Sequence, residues 1–139
     1  MKRLTNLLVV ALLMLSFTVL VSSCKKDEVV EEKYYIVYFT FTGDIENVSF
    51  YALNLELDDK GNVLTTYQFD NVNSGSKTKT YTAHKDAVKV KTLITYVIHD
   101  STYGNIQGED VWEFNNELTK NAITEIHVSL NDFKYELDL

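Results

Sequence analysis

From Tyr34 onward, apolar residues recur with a period of two, and the chain is rich in Val, Ile, Thr, Tyr and Phe. That period suits strands with a buried face and is wrong for helices, whose apolar positions return every three to four residues. Tyr34 to Thr42 is apolar on both faces, as expected of a strand sandwiched in a core. Next, Tyr51, Leu53, Leu55 and Leu57 alternate with Ala52, Asn54 and Glu56, which predicts a strand with the leucines buried. The run Asp58-Asp59-Lys60-Gly61-Asn62 is a turn signal, and Val63, Tyr67 and Phe69 continue the apolar pattern beyond it. A three-residue loop, Asp59-Lys60-Gly61, with Gly61 left-handed, closes such a hairpin. It pairs Leu57 with Val63, Leu53 with Tyr67 and Tyr51 with Phe69, all apolar and all on one face.

A second hairpin is expected at the C-terminus. A two-residue turn at Asn131-Asp132, residues that tolerate positive φ, pairs Leu130 with Phe133, Val128 with Tyr135 and Ile126 with Leu137. Between the hairpins, Ser76 to Ala83 and Ala87 to Ile98 read as strands. In the latter, Val88, Val90, Ile94, Tyr96 and Ile98 lie on one face and Lys89 and Lys91 on the other. Val111 to Phe114 is a further short strand, and Asn115 to Asn121 has room for one helical turn. Seven to eight strands with polar turns predict an all-β fold, an antiparallel two-sheet β-sandwich of Ig-like architecture. A small closed barrel is the alternative. The Cys–Trp–Cys spacing of immunoglobulin domains is absent.

The N-terminus has a different character. Lys2 and Arg3 precede an apolar run from Leu7 to Val21, broken only by Ser16 and Thr18, and small residues follow at Ser22 and Ser23. A basic start, a short apolar stretch and small residues before a cleavage point make a secretory signal peptide. Extended by its flanks, the run would just span a bilayer as an uncleaved anchor. Val21-Ser22-Ser23-Cys24 resembles the bacterial lipobox, and Cys24 is the sole cysteine of the chain. The resemblance implies diacylglyceryl transfer to the Cys24 thiol, cleavage before it and acylation of the new α-amine. The following Lys26-Asp27-Glu28 resembles the lipoprotein export signal of Bacteroidetes, which implies display on the outer face of the outer membrane. The expected organisation is a signal peptide over 1–23, a lipidated flexible tether over 24–33 and a β-sandwich over 34–139, with the bilayer as a partner through acylated Cys24.

Loss of residues 1–23 removes Lys2 and Arg3 and no acidic residue, so the net charge moves from −7 to −9. Such a domain repels nucleic-acid phosphates, and nucleic acid is not an expected partner. With its one cysteine lipidated, the mature chain has no disulfide, and stability must come from the packed core.

Few residues suggest chemistry. His84, His99 and His127 show no paired ligand spacing, so neither metal nor cofactor is expected. The consecutive His99-Asp100-Ser101 cannot adopt triad geometry, and no G-x-S-x-G accompanies them. The Asp58–Asn62 run lacks the order of a calcium loop. Glu109-Asp110 offers carboxylates, whose use in glycoside hydrolysis depends on a geometry that sequence does not show. Asp100-Ser101-Thr102 resembles the Bacteroidetes O-glycosylation motif, which implies a glycan on Ser101. Tyr103 and the sole tryptophan, Trp112, flank flexible Gly104, Asn105 and Gly108, and exposed aromatics there would suit ligand binding. The two-residue spacing of Trp112 and Phe114 instead favours burial of both. The expected function is a non-enzymatic binding or accessory module for a glycan or an envelope protein. The alternatives are an assembly subunit of an envelope complex and, more remotely, an envelope hydrolase.

Overall fold

The alternation seen in the sequence becomes eight strands in a computed structural model that describes residues 31–136. They are β1 (Tyr34–Gly43), β2 (Val48–Leu57), β3 (Val63–Val72), β4 (Tyr81–Thr82), β5 (Lys89–Asp100), β6 (Gly104–Gln107), β7 (Trp112–Glu117) and β8 (Ile123–Phe133). One sheet has the order β4-β1-β8 and the other β3-β2-β5-β6, with β7 also paired to β5. The architecture is the expected two-sheet sandwich, not closed into a barrel, and the described residues contain no helix.

The core lies between the sheets. Tyr35, Val37, Phe39 and Phe41 of β1 and Ile126, Val128 and Leu130 of β8 meet Phe50 and Ala52 of β2 and Val90, Ile94, Tyr96 and Ile98 of β5. Phe41 and Phe50 stack across the interface, their rings 3.9 Å apart and nearly parallel.

The expected hairpin loop forms, with Gly61 at φ +84° and Leu57 opposite Val63. The Asp58 carboxylate accepts from the Asn62 side chain, from the Asn62 amide and from the Lys60 amide, which hold it below its usual range. Beyond the loop the register differs from expectation. Leu64 is an extra residue, a β-bulge, so Glu56 faces Thr65, Asn54 faces Tyr67 and Ala52 faces Phe69. The slip turns Ala52, Asn54 and Glu56 inward and leaves Tyr51, Leu53 and Leu55 half-buried on the outer face. Pairing with β5 is the reason: Ala52 sits opposite Ile94 and Leu55 opposite Lys91, so the outward lysines of β5 and the inward leucines cannot coexist.

Each inward polar side chain makes a hydrogen bond, with one atom left over. Fully buried Glu56 accepts from the Tyr35 hydroxyl (3.1 Å) and from the His84 amide (2.7 Å). Burial, and then the charge of Glu56, drives the Tyr35 hydroxyl far above its ordinary pKa. Thr92 donates to Asn54 Oδ1 (2.7 Å), while Asn54 Nδ2 has no partner.

The second expected hairpin does not form. Asn131 and Asp132 lie within β8, which runs parallel to β1 from Tyr34 opposite Ile123 to Phe41 opposite Leu130. Asp132, at φ +55°, makes a bulge, and Gly43 then sits opposite Phe133 with no room for a Cβ. The apolar phase restarts at Phe133 because the extra residue returns that ring to the core side, against Phe50 (4.9 Å) and Tyr96 (5.1 Å). Of the strand expected over Ser76 to Ala83, only Tyr81–Thr82 is regular, while Ser76 and Thr78 bond irregularly to β1. In place of a helical turn at Asn115, β7 continues to Glu117.

Residues 1–23 with the lipobox, Cys24, and Lys26, Asp27 and Glu28 lie outside the described residues. Lys33, assigned by charge to the tether, is 6% exposed, and its ammonium donates to the Ala87 carbonyl (2.5 Å). Glu31 pairs with Lys120, and the Glu32 carbonyl accepts from the Asn121 amide. The folded body therefore includes Glu31–Lys33.

Tyr35→Phe removes one of two donors to a buried carboxylate and should lower unfolding free energy by about 1–3 kcal/mol, read by chemical denaturation. Thr92→Val should cost a similar amount by stranding the Asn54 amide. The double change Asn54→Leu, Thr92→Val removes the orphan Nδ2 with its neighbour and should come out at least as stable as the wild type.

Candidate ligand-binding cleft

A cleft of about 470 Å³ opens where β5 and β6 meet the segment after β8. That volume falls in the range of small-ligand sites. Tyr96 and Ile98 come from β5, Ile106 and Gln107 from β6, Gly108 to Asp110 from the following link, and Lys134 to Glu136 from the C-terminal segment. Tyr96 carries the floor, its ring lying 5.1 Å from Phe133 and 5.6 Å from Trp112. Gly108 is pressed against that ring, so closely that a Cβ would overlap it, and its amide donates to the Tyr96 carbonyl (2.9 Å). Only glycine permits this approach. Burial raises the Tyr96 hydroxyl above its ordinary pKa, and the charges of Asp110 and then Glu109 raise it further. Glu109 and Asp110 line the same cleft. A smaller hollow of about 380 Å³, lined by Trp112 and Ser129 to Lys134, adjoins the same C-terminal segment.

Trp112 is half-buried at the start of β7, part of the aromatic cluster under the cleft. Tyr103 is 60% exposed in the β5–β6 turn, where Asp100 Oδ1 accepts from the amides of Thr102 and Tyr103 (both 2.8 Å). The two aromatics are not brought together: they flank Asp100 and Ile94, six residues and about 20 Å apart along β5. Ser101 is exposed in the same turn. Tyr96, Lys134 and Tyr135 were not foreseen as site residues. Tyr96 has the spacing of a core residue, and its neighbours come from the far end of the chain.

One constellation has the order of a catalytic triad. Ser49 Oγ lies 2.6 Å from His99 Nε2, and His99 Nδ1 lies 2.8 Å from Asn105 Oδ1. These residues form a row across the exposed outer face of β2, β5 and β6, and Ser101 is not among them. Acyl transfer also needs amide donors at the oxyanion position. The His99 amide bonds the Asn47 carbonyl, and that parity commits the Ser49 amide to Val97 and the Phe50 amide to β3. The row is a cross-strand hydrogen-bond ladder. His127 stacks on Tyr38 (5.1 Å), and no three His, Cys, Asp or Glu side chains converge among the described residues.

No family model matches the sequence, and comparison with curated proteins and with solved structures found no match.

Gly108→Ala should displace the Tyr96 ring and destabilise the fold by about 1–3 kcal/mol. Combined with Tyr96→Leu it should cost less than the sum of the two single changes in denaturation experiments, since the overlap disappears with the ring.

Proposed function

We propose that this chain is an envelope lipoprotein, anchored through acylated Cys24 and displayed on the exterior of the outer membrane, whose sandwich acts as a non-enzymatic binding module. The observation that carries the reading is the order of the N-terminus: Lys2-Arg3, the apolar run to Val21, and Ser22-Ser23-Cys24 with no other cysteine to compete. Each buried methylene of an acyl chain contributes about 0.8 kcal/mol, so several chains together make a stable anchor. Lys26-Asp27-Glu28 supplies the surface-export reading.

The cleft supports the binding half of the proposal. It sets two phenol rings and two isoleucines among Gln107, Lys134 and three carboxylates, a largely polar lining with many groups able to hydrogen-bond a ligand. A glycan or a segment of an envelope protein is the ligand class this surface suits. Carboxylates at Glu109, Asp110 and Glu136 against a single cation, Lys134, disfavour anionic ligands.

In cells grown with labelled palmitate, the wild-type chain should take up label, and Cys24→Ser should take up none. Protease added to intact cells should digest the wild type and spare the variant with Lys26, Asp27 and Glu28 all changed to Ala. Labelling that survives Cys24→Ser would end the lipoprotein reading, and equal protection of both chains would place the domain inward.

A further inference from the structure

We infer that β8 is a self-association edge, through which two copies pair antiparallel about a two-fold axis at Ile126 and join their three-stranded sheets into one of six. The inference stands apart from the cleft and from the lipid anchor.

Backbone parity shows that the edge is open. The Tyr34 amide donates to the Ala122 carbonyl, which turns the even-numbered residues of β8 toward β1. The other side of β1 agrees, because the carbonyls of Lys33 and Val37 accept from Ala83 and Thr78. The N–H and C=O groups of Ile123, Glu125, His127 and Ser129 therefore point away from the sheet. Among the described residues none of them has a backbone partner.

An edge of this kind is a template for another strand unless something blunts it, such as proline, lysine, bulges or a covering element. β8 has neither proline nor lysine, and it is regular from Ile123 to Leu130, with its bulge only at Asp132. By contrast, β3, the edge of the other sheet, is bulged twice. The β7 edge carries Glu113 and Glu117, each paired to a lysine of β5 at 3.1 and 3.3 Å, so their charges do not bar a neighbouring copy.

Side chains select the partner. With the axis at Ile126, Glu125 of one copy faces His127 of the other, twice by symmetry, and both residues are exposed. Ile126 faces its own copy and Thr124 faces Val128, so the Glu125–His127 pairs lie on the outer face and the Ile126 and Thr124–Val128 pairs on the core face. Glu125 and His127 already approach to 3.4 Å within one chain, so their side chains reach the same zone. A strand with its own complement in the correct hydrogen-bonding parity fits a second copy of this chain.

The test uses the full chain bearing a new cysteine, with the wild type and its single Cys24 as control. Directly opposed residues lie within disulfide reach, and residues offset by two positions do not. Mixed Glu125→Cys and His127→Cys chains should form a disulfide dimer under mild oxidation, and neither chain alone should do so. Glu125→Lys should weaken self-association about tenfold, and adding His127→Glu should restore it. Ser129→Pro takes an N–H from the open edge and none from the β1 ladder, so it should abolish the dimer with unchanged circular dichroism. A monomer at all concentrations, a His127→Cys chain that links only to itself, or a disulfide to some other protein would each overturn the inference. Should Ser129→Pro unfold, the charge exchange decides: failure of His127→Glu to restore association would also overturn it.

Discussion

The hydrogen bond between the Tyr35 hydroxyl and the Glu56 carboxylate crosses the sandwich, from β1 in one sheet to β2 in the other. A carboxyl group in the interior is tolerated only with hydrogen-bond partners at its oxygens, and Glu56 has two, Tyr35 and the His84 amide. The second donor ties the loop after β4 to the same point. Sheet spacing, the inward face of β2 and the course of the chain from Ala83 into β5 are thus set together. Around this point the rings of Tyr35, Tyr67 and Tyr81 fill the end of the core, Tyr81 lying 5.3 Å from Tyr35 and 4.8 Å from Tyr67.

Most of the strands were legible in the sequence because β-structure with one buried face writes its period plainly. The face of β5 was correct, since Lys89 and Lys91 can only point outward while Val90 and Ile94 fill the core. The turn at Asp58 to Asn62 was legible because Gly61 must hold a left-handed conformation. The face of β2 was misread for a physical reason. Its apolar residues lie at Tyr51, Leu53 and Leu55, yet cross-strand pairing with β5 and the partners waiting for Glu56 and Asn54 outweigh that local pattern. Leu64, the bulged residue that makes the switch, looks like any other strand residue. At the C-terminus a shift of apolar phase has two structural readings, a turn or a bulge. The choice depends on whether β1 is available as a neighbour, which is a long-range fact.

The cleft was hardly legible at all. Glu109 and Asp110 stood out as charges and Trp112 as a lone large ring, but the surface that joins them to Lys134 and Tyr135 exists only because the bulge at Asp132 carries Phe133 into the core beside Tyr96. Had the chain turned back at Asn131, that wall would be missing. The misreading of the last strand and the blindness to the cleft have one cause.

Parallel pairing of the first and last strands also sets the polarity of the body. Lys33 enters beside the start of β8, and Phe133 leaves beside Gly43, the far end of β1, about 30 Å away along a ten-residue strand. The cleft, built from residues just after Phe133, and the β5–β6 turn with Ser101 and Tyr103 both lie at that far end, because Ile98 pairs with Val48. In an antiparallel β8 pair, the chain entry of each copy comes beside the far end of the other. On the proposed anchor, two tethers would then reach one bilayer only with the strands lying along its plane, and the seven residues from Cys24 to Val30 would span up to about 25 Å. The clefts would then open sideways, at opposite ends of the joined sheet, and neither would be buried by the pairing. Edge and cleft thus lie on separate sides of one small body, so a ligand in the cleft would not obstruct the pairing.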